Sequence, residues 1–73
     1  MNKKMDAAIG NRIRAFRVSS GHTTHAMASA VEMPLNDYTR GERGERQFSA
    51  AELFAVSQVL GIGLVDIVSA LDF

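Results

Sequence analysis

The stretch TTHAMASAVEMPLNDYTRGE, residues 23–42, decides the fold. Met27, Ala28 and Val31 share the inner face of a short helix, and Thr23 offers a hydroxyl to the open amides at its start. Pro34 has no amide to donate but is tolerated in a first helical turn, so a new helix is expected there after a tight turn at Glu32 and Met33. That helix carries Leu35 and Tyr38. It is expected to stop near Gly41, because GERGER (41–46) has two glycines three apart and no apolar side chain to pack. Two short helices, about 24–31 and 34–41, joined by so short a turn fit a helix-turn-helix.

Working outward, Met5, Ile9, Ile13 and Phe16 form the apolar stripe of an amphipathic helix over about 5–20, with Arg12, Arg14 and Arg17 mostly off the stripe and Gly21 as its stop. Downstream, Ser49-Ala50-Ala51-Glu52 is a capping box opening a helix over about 49–60, in which Leu53, Val56 and Leu60 continue at helical spacing up to Gly61. Leu64, Ile67, Val68 and Leu71 predict a fifth helix over about 64–71, with Asp66 in its first turn favourable to the helix dipole. The fold class is therefore all-α. Five short helices with short connections fill residues 1–73 as a single domain, since a chain this small has apolar surface for one core only.

Composition narrows the function. With 47% hydrophobic residues the chain is expected to pack rather than remain disordered. No apolar run approaches the roughly 20 residues that span a bilayer, and Met1 to Ile9 is too polar for a signal-peptide core, so no membrane association and a cytoplasmic location are expected. There is no cysteine, and His22 and His25 lack a third ligand nearby, so no metal and no cofactor are expected. No serine sits in a nucleophile elbow and no glycine-rich loop carries a phosphate-binding lysine, which speaks against an enzyme. The net charge of zero counts against nucleic acid, but its distribution does not. Basic residues gather in Lys3 to Arg17 and Arg40 to Arg46, whereas Ser49 to Phe73 holds three acids and no Lys or Arg.

The ordered string Ile9-Gly10-x-x-Ile13-Arg14-x-x-Arg17, Gly21, Met27-Ala28-x-x-Val31-x-Met33, Tyr38, Glu42-x-Gly44 and the apolar positions Leu53, Val56, Leu60, Ile62 and Ile67 resembles the phage-repressor (Cro-like) helix-turn-helix family from about Ile9 to Leu71. The resemblance implies a five-helix lambda-repressor-like domain that binds double-stranded DNA and regulates transcription as a repressor. It implies that Arg17 pairs with Glu42, clamping the end of the recognition helix and turning spare guanidinium donors toward phosphate. The alternative is two unrelated surface charges worth about 0–1 kcal/mol if paired at all. Thr24 takes the family's phosphate-contacting position at the start of the second helix, or shares a plain cap with Thr23. Leu35, Asn36, Thr39 and Arg40 fall at groove-facing positions, with Asp37 beside them. Asn36 suits adenine, Arg40 guanine and Leu35 a thymine methyl, while Asp37 accepts from cytosine or caps the helix start, as Asn36 also can. Arg43 and Arg46 take positions in the following loop that meet backbone phosphate in the family, a solvated mixed-charge loop being the alternative. Two departures fall on the turn: Glu32 stands where glycine is usual, at a cost on the order of 1 kcal/mol if φ is positive, and Pro34 replaces the usual Ser or Thr cap.

One recognition helix contacts few bases, so a homodimer is expected. Leu64, Val65, Val68, Leu71 and Phe73 are more apolar side chains than one face of a short helix can bury, which makes them candidates for the dimer interface or, alternatively, for completing the core. A second reading keeps the fold but uses it to bind or sequester a protein partner, favoured by the zero net charge and by Glu32, Asp37 and the Glu-rich loop.

Overall fold

A computed structural model describes residues 3–69 of the chain. Five α-helices follow in order: α1 (Lys3–Ser19), α2 (Thr24–Ala30), α3 (Leu35–Glu42), α4 (Ala50–Leu60) and α5 (Leu64–Val68). The described residues contain no strand. α1 is the spine: it packs against α3, α4 and α5, while α2 packs against α3 and α4. Ile13, Met27, Tyr38, Val56 and Ile67, one from each helix, are fully buried and form the centre of the core. Burying one large side chain per helix, at roughly 1.5–3 kcal/mol each, is how a chain without cysteine, and so without disulfides, holds five short helices together.

Each helix end has a local cause. At the end of α1 the Gly21 amide donates to the Val18 carbonyl (3.1 Å) and the His22 amide to that of Arg17 (3.1 Å), the paired bonds of a Schellman motif with Gly21 at φ 78°. The same pattern closes α2, where the Glu32 amide donates to Ser29 (3.2 Å) and that of Met33 to Ala28 (2.9 Å). Here the left-handed residue is Glu32, at φ 58°. Its side chain is exposed, so the strain is uncompensated. Replacing Glu32 by Gly is expected to raise stability by about 0.5–1 kcal/mol, read as a higher denaturant midpoint with unchanged slope.

Several helix limits differ from those expected. α1 starts at Lys3 rather than near 5, which leaves Met5 on its more exposed side at 40% exposure. Pro34 lies outside the first turn of α3 as its N-cap (φ −56°, ψ 141°) and supplies no capping side chain. Neither Asn36 nor Asp37 makes up for that cap, as neither side chain has a hydrogen bond among the described residues. α3 runs through Gly41 to Glu42, because Gly41 is buried beneath the Phe48 ring and is a contact point rather than a stop. α5 is described to Val68; Leu71 and Phe73 lie outside the described residues.

Phe48 is the core residue that helical periodicity does not reveal. It sits in the connection before α4, 5% exposed, with its ring edge-on to that of Tyr38 at a centroid distance of 6.0 Å. A methyl group on Gly10 would overlap the carbonyl oxygens of Gly41 and Glu42, so α1 and the end of α3 touch backbone to backbone. The last turn of α3 is thus gripped between α1 and Phe48.

Candidate nucleic-acid interface

The centre of the site is a three-residue polar cluster at that gripped end. Arg17 donates through Nε to Oε2 of Glu42 (2.7 Å) and through Nη2 to Oε1 (3.1 Å), and its Nη1 donates to the His22 carbonyl (3.0 Å). The Tyr38 hydroxyl donates a short hydrogen bond to Oε2 of the same carboxylate. Glu42 is 6% exposed and the Arg17 side chain 12%, so the fork lies largely out of water. Its hydrogen bonds to Glu42, opposed only in part by burial, raise the Arg17 guanidinium above its ordinary pKa. Burial, followed by the adjacent Glu42 carboxylate, pushes the Tyr38 phenol well above its usual range and keeps it a donor. Arg17 therefore ties α1, the α1–α2 turn and α3 together at one point.

Beside the fork opens a cleft of about 190 Å3 lined by Arg14, Arg17, Thr24, Thr39, Glu42 and Arg43. Thr23 performs the capping of α2, its Oγ1 accepting from the Ala26 amide (3.0 Å). Thr24, the first residue of α2, is left with its side chain at the cleft. Along α3, Asn36, Thr39, Arg40 and Arg43 recur at helical spacing on one side, opposite buried Tyr38, Gly41 and Glu42. Asn36, Arg40 and Arg43 are exposed, Leu35 is 37% exposed, and Thr39 and Asp37 are half-buried. The Thr39 hydroxyl donates to the Asn36 carbonyl (3.0 Å), which orients its oxygen without consuming it as an acceptor.

The arginines divide into two sets. Arg12 stacks over the Phe16 ring at 5.0 Å and donates to the Asp66 carbonyl (3.0 Å), joining α1 to α5. Arg17 is held by Glu42, and Arg46 donates to both carboxylate oxygens of Glu52 at 2.9 and 3.0 Å. In contrast, Arg14, Arg40 and Arg43 have no carboxylate partner among the described residues. Arg14 received no role from the sequence, although its place three residues before Arg17 puts both on neighbouring positions of one helix side. Arg46 lies in the loop beside Arg43, as expected, with its guanidinium turned to Glu52 of α4.

Glu52 has two occupations. Its Oε1 accepts from the Ser49 amide (2.8 Å) while Ser49 Oγ accepts from the Glu52 amide (3.1 Å), completing the capping box. The hydrogen bonds from Arg46, more than those from Ser49, lower its carboxyl from an ordinary 4.5 to about 2. A carboxyl depressed on folding contributes stability above its unfolded value and loses it as the pH falls through the folded one. Acid titration is therefore expected to remove on the order of 1 kcal/mol between about pH 4.5 and about pH 2, and Glu52→Gln should flatten that part of the stability profile.

Among the described residues no group of three His, Cys, Asp or Glu side chains could hold a metal ion, and no helix is long and apolar enough to cross a membrane. On the side formed by α4 and α5, Phe54, Leu64 and Val65 are 55%, 40% and 68% exposed, and Val68 is half-buried.

No protein-family model and no curated protein matches the chain. Solved structures do. A crystal structure of the clp gene regulator ClgR from Corynebacterium glutamicum superposes with a TM-score of 0.87 and 27% sequence identity, over 90% of this chain and 70% of that one. A second crystal structure of ClgR from C. glutamicum gives a TM-score of 0.86 at 27% identity, over 90% of this chain and 85% of the other. The five-helix arrangement, with α2 and α3 as a helix-turn-helix pair set against α1, is thus a fold this chain shares with a gene regulator.

Proposed function

We propose that the chain is a sequence-specific double-stranded-DNA-binding regulator that enters the major groove with α3. The observation that carries this reading is the division of the arginines. Arg17 and Arg46, each on a carboxylate, and Arg12, on the Asp66 carbonyl, hold the fold together; Arg14, Arg40 and Arg43 have no carboxylate partner among the described residues, Arg40 making only a long 3.4 Å bond to the Glu45 carbonyl, and they lie with Thr24 and Thr39 along α1, α2 and the exposed side of α3. The zero net charge is a sum over the whole chain, whereas Arg14, Arg40 and Arg43 lie together with no carboxylate partner among the described residues. Arg14, Arg43 and Thr24 contact phosphate and set the docking of α3. Leu35, Asn36, Thr39 and Arg40 face base edges, with Asp37 alongside.

The structural likeness to a clp gene regulator supports the regulatory role. We assign the active species as a homodimer and the exposed Leu64 and Val65 of α5 to its interface, since a twofold pair presents two recognition helices to half-sites about 34 Å apart. The regulatory sense assigned to it is repression.

Selection from pooled random duplex DNA, at low and moderate salt, tests the proposal. An enriched palindrome is the expected result, with affinity falling steeply as salt rises, by a slope of about −0.9 per phosphate neutralised. Absence of binding at low salt by the folded chain overturns it, and association with a protein partner that barely responds to salt would replace it. On the selected site, Arg40→Ala should cost about 1–3 kcal/mol and relax preference at one base pair. Equal weakening on every sequence would reassign Arg40 to the backbone.

A further inference from the structure

Resting on the DNA-binding reading, we infer that Arg46 is a positioning residue of the interface and not a contact of it: held by Glu52, it fixes the segment that carries Arg43 at the end of α3. The guanidinium engages both oxygens of Glu52 (2.9 and 3.0 Å) and also donates through Nη1 to the Gln47 carbonyl (3.2 Å). Glu52 is itself anchored, accepting from the Ser49 amide at the start of α4 (2.8 Å). The chain from Arg43 to Phe48 is therefore tied at its far end by a charge-assisted fork. At its near end the Glu45 amide donates to the Arg40 carbonyl (2.9 Å), and the backbone of Gly44 lies so close to α1 that a methyl group there would sit 2.7 Å from the Ala7 Cα. Arg43, inside the loop that the Glu45–Arg40 bond closes, serves as the C-cap of α3 and lines the cleft, whereas Arg46 does not line it. To meet a phosphate there, Arg46 would have to leave a carboxylate that already satisfies its two terminal nitrogens. Asp37, on the first turn of α3, is near enough to Arg46 to strengthen its hold on the proton, so the same guanidinium offsets an acid that would repel the DNA backbone.

Glu52→Gln separates the two roles. It retains an oxygen for the Ser49 amide and leaves every arginine in place, but removes the charge that holds Arg46. Binding of a labelled mixed-sequence DNA duplex at low salt, measured where each variant is fully folded, is expected to weaken about three- to tenfold in Glu52→Gln and similarly in Arg46→Ala. The double variant Glu52→Gln with Arg43→Ala should bind no more weakly than Arg43→Ala alone, because the latch acts through Arg43. Hydrogen exchange at the Glu45 amide should accelerate in Glu52→Gln without DNA present. Unchanged or tighter binding by Glu52→Gln, alongside weakening by Arg46→Ala, would make Arg46 a direct contact and overturn the inference. So would additive losses in the double variant, or unaltered exchange at Glu45. Failure of the unsubstituted chain to bind duplex shows itself without any substitution, and overturns the DNA-binding reading together with this inference.

Discussion

Arg17→Ala is expected to lower stability by about 3–5 kcal/mol, the cost of removing one partner of a buried ion pair. The reason lies with what remains: Glu42, 6% exposed, keeps its charge and loses both guanidinium bonds, leaving the Tyr38 hydroxyl as its hydrogen-bonding partner. For a domain of this size each kcal/mol moves the melting temperature by about 4–8 °C, so thermal unfolding should begin at least about 12 °C lower. Glu42→Gln in the Arg17→Ala background removes the unpaired charge while keeping an acceptor for Tyr38, and should return about half of the loss. An unchanged melting temperature would mean that the fork is no more than an exposed pair. A loss with no return in the double variant would place the effect in Arg17 packing and its bond to the His22 carbonyl. DNA affinity, compared at a temperature where the variant is folded, should also fall, because Glu42 is the last residue of α3 and its release loosens the helix that enters the groove.

What was legible in the sequence follows the range of the interactions involved. Ser49 and Glu52 are three residues apart, and their reciprocal bonds form whatever the rest of the chain does, so the start of α4 could be read from four residues. Gly21 and the stripe through Ile9, Ile13 and Phe16 are equally local. The Arg17–Glu42 fork spans twenty-five positions and was reachable only through the resemblance to a known family, which placed both residues before any contact was visible. Arg46 shows the opposite case. Nothing local says that Glu52, already engaged with its own cap, has a second side open to a guanidinium six residues upstream. Phe48 escaped because a lone aromatic in a polar connection has no periodicity to betray its burial. Gly10 and Gly41 are recognisable as close contacts only once α1 and α3 are set against each other, and in sequence a glycine near the end of a helix resembles a stop.

Phe48→Ala should cost about 3–5 kcal/mol, and its coupling to Gly41 should change the sign of a second substitution. The ring is 5% exposed, meets Tyr38 edge-on at 6.0 Å, and occupies the space where a side chain on Gly41 would stand. Its loss opens a cavity at the last turn of α3, beside Gly41 and Tyr38, and the cost rises with how little the neighbours collapse into it. Gly41→Ala alone is expected to destabilise by about 1–3 kcal/mol, since the added methyl must displace a packed ring and not a flexible side-chain tip. In the Phe48→Ala background the ring atoms nearest to that methyl are gone, and alanine is a better helix residue than glycine by about 0.5–1 kcal/mol, so Gly41→Ala should then stabilise. Denaturant unfolding of the four variants closes this cycle. Additive losses would show that Gly41 is required by its own backbone and not by the ring, whereas the reversal of sign would establish that Phe48 sets the resting position of α3. In that case the outer side of the same helix, with Asn36, Arg40 and Arg43, is aimed from behind by a residue that never meets the solvent there.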